Sequence, residues 1–212
     1  DNAQIPNRFQ EYTLQSSPLT KSNPTLIKRL TYPVPPTGDV GDDEWAAWTK
    51  SRLVPWQGSW FFWGAYGVGK TGLALGYARE ALFDLVGTWP NVSMRFVSVP
   101  RMLSHLRSTY SKKGEETEED ALAAYITPPL LVMDDLGAEQ ITGSGWVEDR
   151  LYQIIGERHG AGEDYWTVFT SNLSLKELAA RIGERICWRI VEMCGDNHII
   201  HVTGRNLRAL PS

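Results

Sequence analysis

Disulfides do not build this chain: its 212 residues contain two cysteines, Cys187 and Cys194, so a disulfide scaffold is excluded. No stretch approaches the roughly 18 consecutive apolar residues that a membrane-spanning helix needs. The opening DNAQIPNRFQ has neither a basic start nor an apolar run, so no signal peptide is read there. A cytoplasmic protein is the expectation. No segment recurs at a solenoid-like period. A surplus of positive charge is also missing: Lys+Arg of 21 against Asp+Glu of 25 gives a net charge of −4. That is not the footprint of a protein that coats a duplex, and nucleic-acid binding would require a local basic patch. Methionine is absent before Met94, so the chain reads as a processed or trimmed piece of something longer.

What is present is the composition of a globular domain, 42% hydrophobic and 22% charged with nine tryptophans. Residues 1–41 are rich in Pro, Thr, Ser and Asn and read as an extended N-terminal arm with little regular structure. Residues 42–212 read as one α/β domain. The aromatic run SWFFW at 59–63, the stretch 92–99, LLVMD at 130–134, and residues 166–170 and 198–202 predict strands. Residues 44–53, 72–86, 101–110, 117–125, 146–159, 175–181 and 183–193 predict helices, with Ser174 and Glu177 forming a capping box. Strands alternating with helices predict βαβ units and a mostly parallel sheet, with the site at the carboxyl ends of the strands.

Three motifs cluster at those ends. GAYGVGKT, residues 64–71, satisfies the phosphate-loop pattern. Gly64, Gly67, Val68, Gly69 and Gly72 supply a tight backbone whose N–H groups converge on phosphate oxygens, aided by the positive end of the following helix. Lys70, expected to be exposed in the empty site, reaches the β- and γ-phosphates of ATP, and Thr71 offers a hydroxyl to Mg²⁺. LLVMDDLG, residues 130–137, is an apolar strand ending in acids: Asp134 as a Mg²⁺ ligand through water, Asp135 to orient or deprotonate the attacking water. An aspartate there, shorter than glutamate, predicts slow hydrolysis. Two neighbouring acids on a strand are expected to point to different faces. Asn172, in TSN after the strand WTVFT, is placed to contact the γ-phosphate or that water.

These elements, with IPNRF at 5–9, RFVSVPRMLSHLRSTY, LYQIIGERH, FTSNLSLKEL and RIGERICWRI, resemble the AAA+ ATPases of the DnaC/IstB type, replicative helicase loaders and transposition helper ATPases. The resemblance implies a P-loop NTPase core of the ASCE type with a reduced or absent C-terminal helical lid. It implies ATP and Mg²⁺ as cofactors, a homo-oligomer formed with ATP, DNA as a partner with single strands favoured, and a replicative helicase or a transposase. Asn172 then falls at the sensor 1 position. Arg189 is the best match to the arginine finger, with Arg185 one turn earlier, and Arg208 matches sensor 2. A finger supplied by a neighbouring subunit couples hydrolysis to assembly. The same arginines, with Arg181 at the preceding turn and Glu184 and Glu192 between, also read as a solvated helix face. Tyr66 stands in the loop where Pro or a small residue is usual.

One local basic face exists: Arg101, His105, Ser108 and Lys112, extended by Lys113, against the apolar Leu103 and Leu106. The resemblance turns this region toward DNA, although a solvated amphipathic face reads equally well. Trp60, Trp63, Trp45 and Trp48 read as packing. Zinc binding by Cys187, Cys194, His198 and His201 is opposed by spacing, since two residues three apart on a strand face opposite ways. Three functions stay open: a DnaC-like loader acting on single strands, an IstB-like helper assembling on duplex DNA, and a nucleotide-gated adaptor with negligible turnover.

Overall fold

The computed structural model describes residues 5–31, 41–44, 46–47, 58–88, 92–110, 116–139, 145–162 and 165–208. A 3-10 turn at Asn7–Phe9 precedes α1 (Leu19–Ser22) and α2 (Pro24–Leu30). The alternating core follows as β1 (Trp60–Trp63), α3 (Lys70–Thr88), β2 (Met94–Ser98), α4 (Val99–Thr109), α5 (Glu118–Ile126), β3 (Leu130–Leu136), α6 (Trp146–Gly160), β4 (Trp166–Ser171), α7 (Leu175–Ile182), α8 (Glu184–Cys194) and β5 (Ile199–His201). The five strands form one parallel sheet in the order β2-β3-β4-β1-β5. Among the described residues no helix is long and apolar enough to cross a membrane.

Both faces of the sheet are covered, and side chains sort between them with the strand period of two. Phe61, Leu131, Met133 and Phe169 pack against α4 to α8. Trp60, Phe62, Leu130, Val132 and Val168 pack against α3 and the N-terminal segment. Trp60 lies fully buried, stacked on His198 at 4.0 Å, while Trp63 on the other face stacks on His201 at 3.9 Å. Both histidines are thereby ring partners, and among the described residues no cluster of His, Cys, Asp or Glu forms a metal site. Trp45 and Trp48 lie outside the described residues.

Arg158 fixes the amino ends of β3 and β4. Fully buried, it donates to Thr167 Oγ1, Ile126 O, Pro128 O and Trp166 O at 2.7–2.8 Å. Burial pushes its pKa down to about 9, against the opposing effect of Tyr165. The expected capping box forms, with Ser174 Oγ accepting from Glu177 N–H and Glu177 capping in return. The expected helix 183–193 starts one residue late, because Gly183 has φ 98 and makes an elbow between α7 and α8. Arg181 therefore lies on a different helix from Arg185 and Arg189, and the three do not form one helical face.

The N-terminal segment corrects the reading of residues 1–41 as an extended arm. Its described part carries three short helical elements and buries Leu14, Leu19, Ile27 and Leu30 in the same cluster as α3. Two glycines of α3 admit it. A Cβ on Gly72 would stand 2.6 Å from the Tyr12 ring, and one on Gly76 would stand 2.7 Å from Leu14 Cδ2. Proline-rich composition hid this, because the apolar residues that dock are spaced by neither helical nor strand periodicity.

Leu14 tests the docking. Leu14→Ala is expected to cost about 2–4 kcal/mol in urea unfolding, the range for emptying a buried leucine site. A loss below about 0.5 kcal/mol, typical of surface positions, would return the segment to a loosely held arm.

Candidate nucleotide site

Strand order builds the site. β4 lies between β1, which leads into the phosphate loop, and β3, which carries the acids. Whatever leaves the carboxyl end of β4 therefore stands between loop and acids. The loop turns through Gly67 and Gly69 at φ 78 and 97, and the buried Val68 side chain anchors it in the core. Lys70 is not exposed as expected: 6% of its surface is accessible. Its Nζ donates to Gly64 O at 2.9 Å, Ala65 O at 2.7 Å and Asn172 Oδ1 at 2.7 Å. Burial pulls the Lys70 pKa down, the Asp135 and Asp134 carboxylates oppose that, and Arg208 adds to the lowering.

The acids depart from simple alternation. The β3–β4 register shifts between Met133 and Leu136, and Asp135 is the one described non-glycine residue with positive φ, at 58. This bulge brings both carboxylates toward the loop: Asp134 and Asp135 line one cavity with Thr71, and Asp135 lines the adjoining cavity with Lys70. Thr170 ties the bulge to β4. Its hydroxyl donates to Asp134 Oδ1 at 2.7 Å and accepts the Asp135 N–H at 3.0 Å. The Thr71 hydroxyl stands on the same cavity as Asp134 and favours its ionised form. Burial, then the Asp135 charge, pushes the Asp134 pKa up to about 6, against the Thr170 hydrogen bond, the Thr71 hydroxyl and the Lys70 charge. A hydroxyl beside a buried carboxylate is a hard-oxygen pair suited to Mg²⁺. Thr170 was legible only as part of the TSN run; its bridging role depends on the bulge.

A cavity of about 290 Å³ opens beside the loop. Phe9, Tyr12 and Pro18 wall it from the N-terminal segment, and Leu207 and Arg208 from the chain's other end. Leu207 N–H donates to Gly67 O at 2.9 Å, tying that end to the loop. The described residues after β5 form this strap and no helix. The arm residues had one sequence signal, the IPNRF match, which carried no assigned role.

The remaining candidates divide. Arg208 lines the cavity. Arg189 does not: it lies over the Tyr152 ring at 3.9 Å and donates to Tyr152 Oη at 2.7 Å on α6. Arg185 is exposed on α8, in a groove with Glu148 and Tyr152. Arg181, by contrast, shares a cavity with Asn172 and Tyr66 and donates to Glu139 O at 2.6 Å. Arg101 lines a cavity with Thr71, Asp134 and Asp135. His105, on the expected basic face, is engaged by Tyr125 Oη and the Glu116 carboxylate. Lys112 and Lys113 lie outside the described residues.

Asp134 gives a pH test of the empty site. Because its folded pKa, about 6, stands above the ordinary 3.8, folding favours the neutral acid. The stability it adds is full below about pH 4 and lost as pH rises through about 6. Asp134→Asn removes that loss. Without nucleotide or Mg²⁺, the variant's stability relative to the parent should rise by about 1–3 kcal/mol between pH 4 and pH 7, at about 1.4 kcal/mol per pKa unit. A difference independent of pH would mean that Asp134 is ionised as readily in the fold as outside it.

The family described as IstB-like ATP binding protein matches residues 59–209. The replicative helicase loader DnaI of Bacillus subtilis (strain 168) is 32% identical over 146 residues, 60% of this chain and 42% of that protein. The replicative helicase loader DnaC of Buchnera aphidicola subsp. Acyrthosiphon pisum (strain APS) is 27% identical over 132 residues, 62% of this chain and 50% of that protein. The chain thus spans half or less of each of these relatives. Among solved structures, a DnaC helicase loader superposes with TM-score 0.60 at 21% identity, covering 93% of this chain and 100% of that one. The replication initiator DnaA bound to AMPPCP and single-stranded DNA superposes with TM-score 0.63 at 15% identity, covering 94% and 52%. Sheet order, phosphate loop and sequence agree: the chain belongs to the IstB-like ATP binding protein family and has the α/β P-loop fold of AAA+ proteins.

Proposed function

We propose that the chain is an ATPase of the helicase-loader type, one that hydrolyses ATP slowly, assembles with ATP, and delivers or remodels a replicative helicase on single-stranded DNA. The observation that carries the hydrolytic reading is the Lys70 contact set. One ammonium touches the phosphate loop and Asn172, with the Asp134–Thr170–Asp135 group beside it. That is the constellation needed for in-line attack on a γ-phosphate. The match to two helicase loaders supports the cellular role.

Each residue then has a task. Lys70 exchanges its carbonyl partners for β- and γ-phosphate oxygens. The loop N–H groups from Gly67 to Gly72 cradle the phosphates. Thr71 and Asp134 would hold Mg²⁺, which neutralises charge developing on the phosphates. Asp135, half-buried and facing the same cavity, orients the attacking water and takes its proton, while Asn172 holds water and γ-phosphate in line. The adenine packs between Phe9, Tyr12 and Pro18 on one side and Leu207 on the other. Arg208 adds a cation in the same subunit. Arg189, engaged with Tyr152 and away from its own loop, acts on the ATP of a neighbouring subunit. Arg101, Lys112 and Lys113 contact DNA phosphates. A second reading, an IstB-like helper on duplex DNA that recruits a transposase, draws on the family match; it is separated by whether single or double strands stimulate turnover.

Mixing two inactive variants tests the shared site. Arg189→Ala keeps a complete loop, and Asp135→Asn keeps a good Arg189; asparagine tolerates the positive φ at that position. Each alone should hydrolyse ATP at least about tenfold more slowly, fingers in related chemistry contributing about 10³–10⁵. Together they should recover part of the parent's rate. No recovery, in a mixture that native mass spectrometry shows to contain mixed oligomers, would remove Arg189 as a trans finger.

A further inference from the structure

Arg79 sits nine residues after Lys70 on α3, about 14 Å along the helix axis from the phosphate loop, and does not line the nucleotide cavity. Its guanidinium instead grips the turn that does. Nη1 donates to Tyr12 O at 2.6 Å, and Nη2 donates to Phe9 O at 3.2 Å and to Gln10 O. Phe9 closes the 3-10 turn at Asn7–Phe9, and Gln10 and Tyr12 follow it, where the chain leaves the helical hydrogen-bond pattern. Phe9 O also accepts from Tyr12 N–H at 3.1 Å. No carboxylate among the described residues pairs with Arg79, so its charge is committed to backbone oxygens. A planar fork with five N–H donors can bridge several carbonyls at once, which the point-like ammonium of lysine does less well.

The gripped turn bears on the site twice. Phe9 and Tyr12 wall the cavity. Their rings also meet edge to face at 5.8 Å, and the Tyr12 ring lies over Gly72 at the start of α3. The buried anchors of the segment, Leu14, Leu19, Ile27 and Leu30, all follow this turn in sequence, while Ile5 and Phe9 pack against the same cluster only partly buried. They fix the segment beyond it, and Arg79 supplies a polar link that fixes the turn itself.

We propose that Arg79 is a positioning residue for the nucleotide base: by holding the Phe9–Tyr12 turn on α3, it sets the wall against which the adenine of ATP packs. This rests on the cavity being the ATP pocket. It makes base recognition depend on a residue that touches no part of the nucleotide.

The test compares ATP with inorganic tripolyphosphate, both with Mg²⁺, by calorimetry on the full chain. Tripolyphosphate uses the loop, Lys70 and Thr71 but presents no base. The parent should bind ATP more tightly than tripolyphosphate. Arg79→Leu, which keeps an apolar stem and removes all donors, should weaken ATP binding by about ten- to hundredfold, the range for loss of one base–aromatic contact. Its tripolyphosphate affinity should stay within about twofold of the parent's, which also certifies a folded phosphate loop. Arg79→Lys should fall between the two. Unchanged ATP affinity in Arg79→Leu would overturn the proposal, and so would equal weakening toward both ligands, because that places Arg79 in the general stability of the site. If the parent itself gains nothing from the base, the pocket reading fails first and the proposal with it.

Discussion

Lys70 is the constraint on which the rest of the site depends. A buried ammonium is costly unless its donors are satisfied. Here two loop carbonyls and the Asn172 side chain satisfy it, with two carboxylates close enough to oppose the burial. Those partners come from different strands. They can meet because β4 separates β1 from β3, so that loop, polar residue and acids fall in spatial order at one end of the sheet. The same order explains Thr170. It stands near the end of β4 beside the bulge in β3, where one hydroxyl holds the Asp134 carboxylate and the Asp135 backbone N–H.

Around that centre, both ends of the described chain converge on the phosphate loop. The N-terminal segment enters glycine notches on α3, and the residues after β5 attach through Leu207 N–H to Gly67 O. A nucleotide seated on the loop would touch both. Binding energy from the base could then be spent on ordering segments far apart in sequence, a means of coupling nucleotide state to whatever those segments contact.

The chemistry-bearing motifs were legible because each is local. GAYGVGKT, LLVMDD and TSN state residue types at fixed short spacing, and apolar runs marked the strands between them. Three features were not legible. The bulge at Asp135 overrides strand alternation, and no residue there advertises a positive φ. The arginine spacing reads as one surface across the helix break expected between residues 181 and 183, but Arg181 packs beside Asn172 and Arg189 against Tyr152. The docking of residues 5–31 depends on tertiary fit against Gly72 and Gly76, which a proline-rich composition conceals. In each case a long-range contact decides, and sequence spacing does not encode it.

On this reading Lys70, the paired acids and the aromatic wall serve one ATP molecule. A crystal structure of the chain with Mg²⁺ and a non-hydrolysable ATP analogue tests it most directly. In that complex Lys70 Nζ should have moved from the Gly64 and Ala65 carbonyls onto β- and γ-phosphate oxygens. Mg²⁺ should lie beside Thr71 and Asp134, Asp135 and Asn172 should face the γ-phosphate, and the adenine should lie between Phe9, Tyr12 and Pro18 on one side and Leu207 on the other. An analogue bound with Lys70 still on the loop carbonyls, or with its base outside that wall, would contradict it.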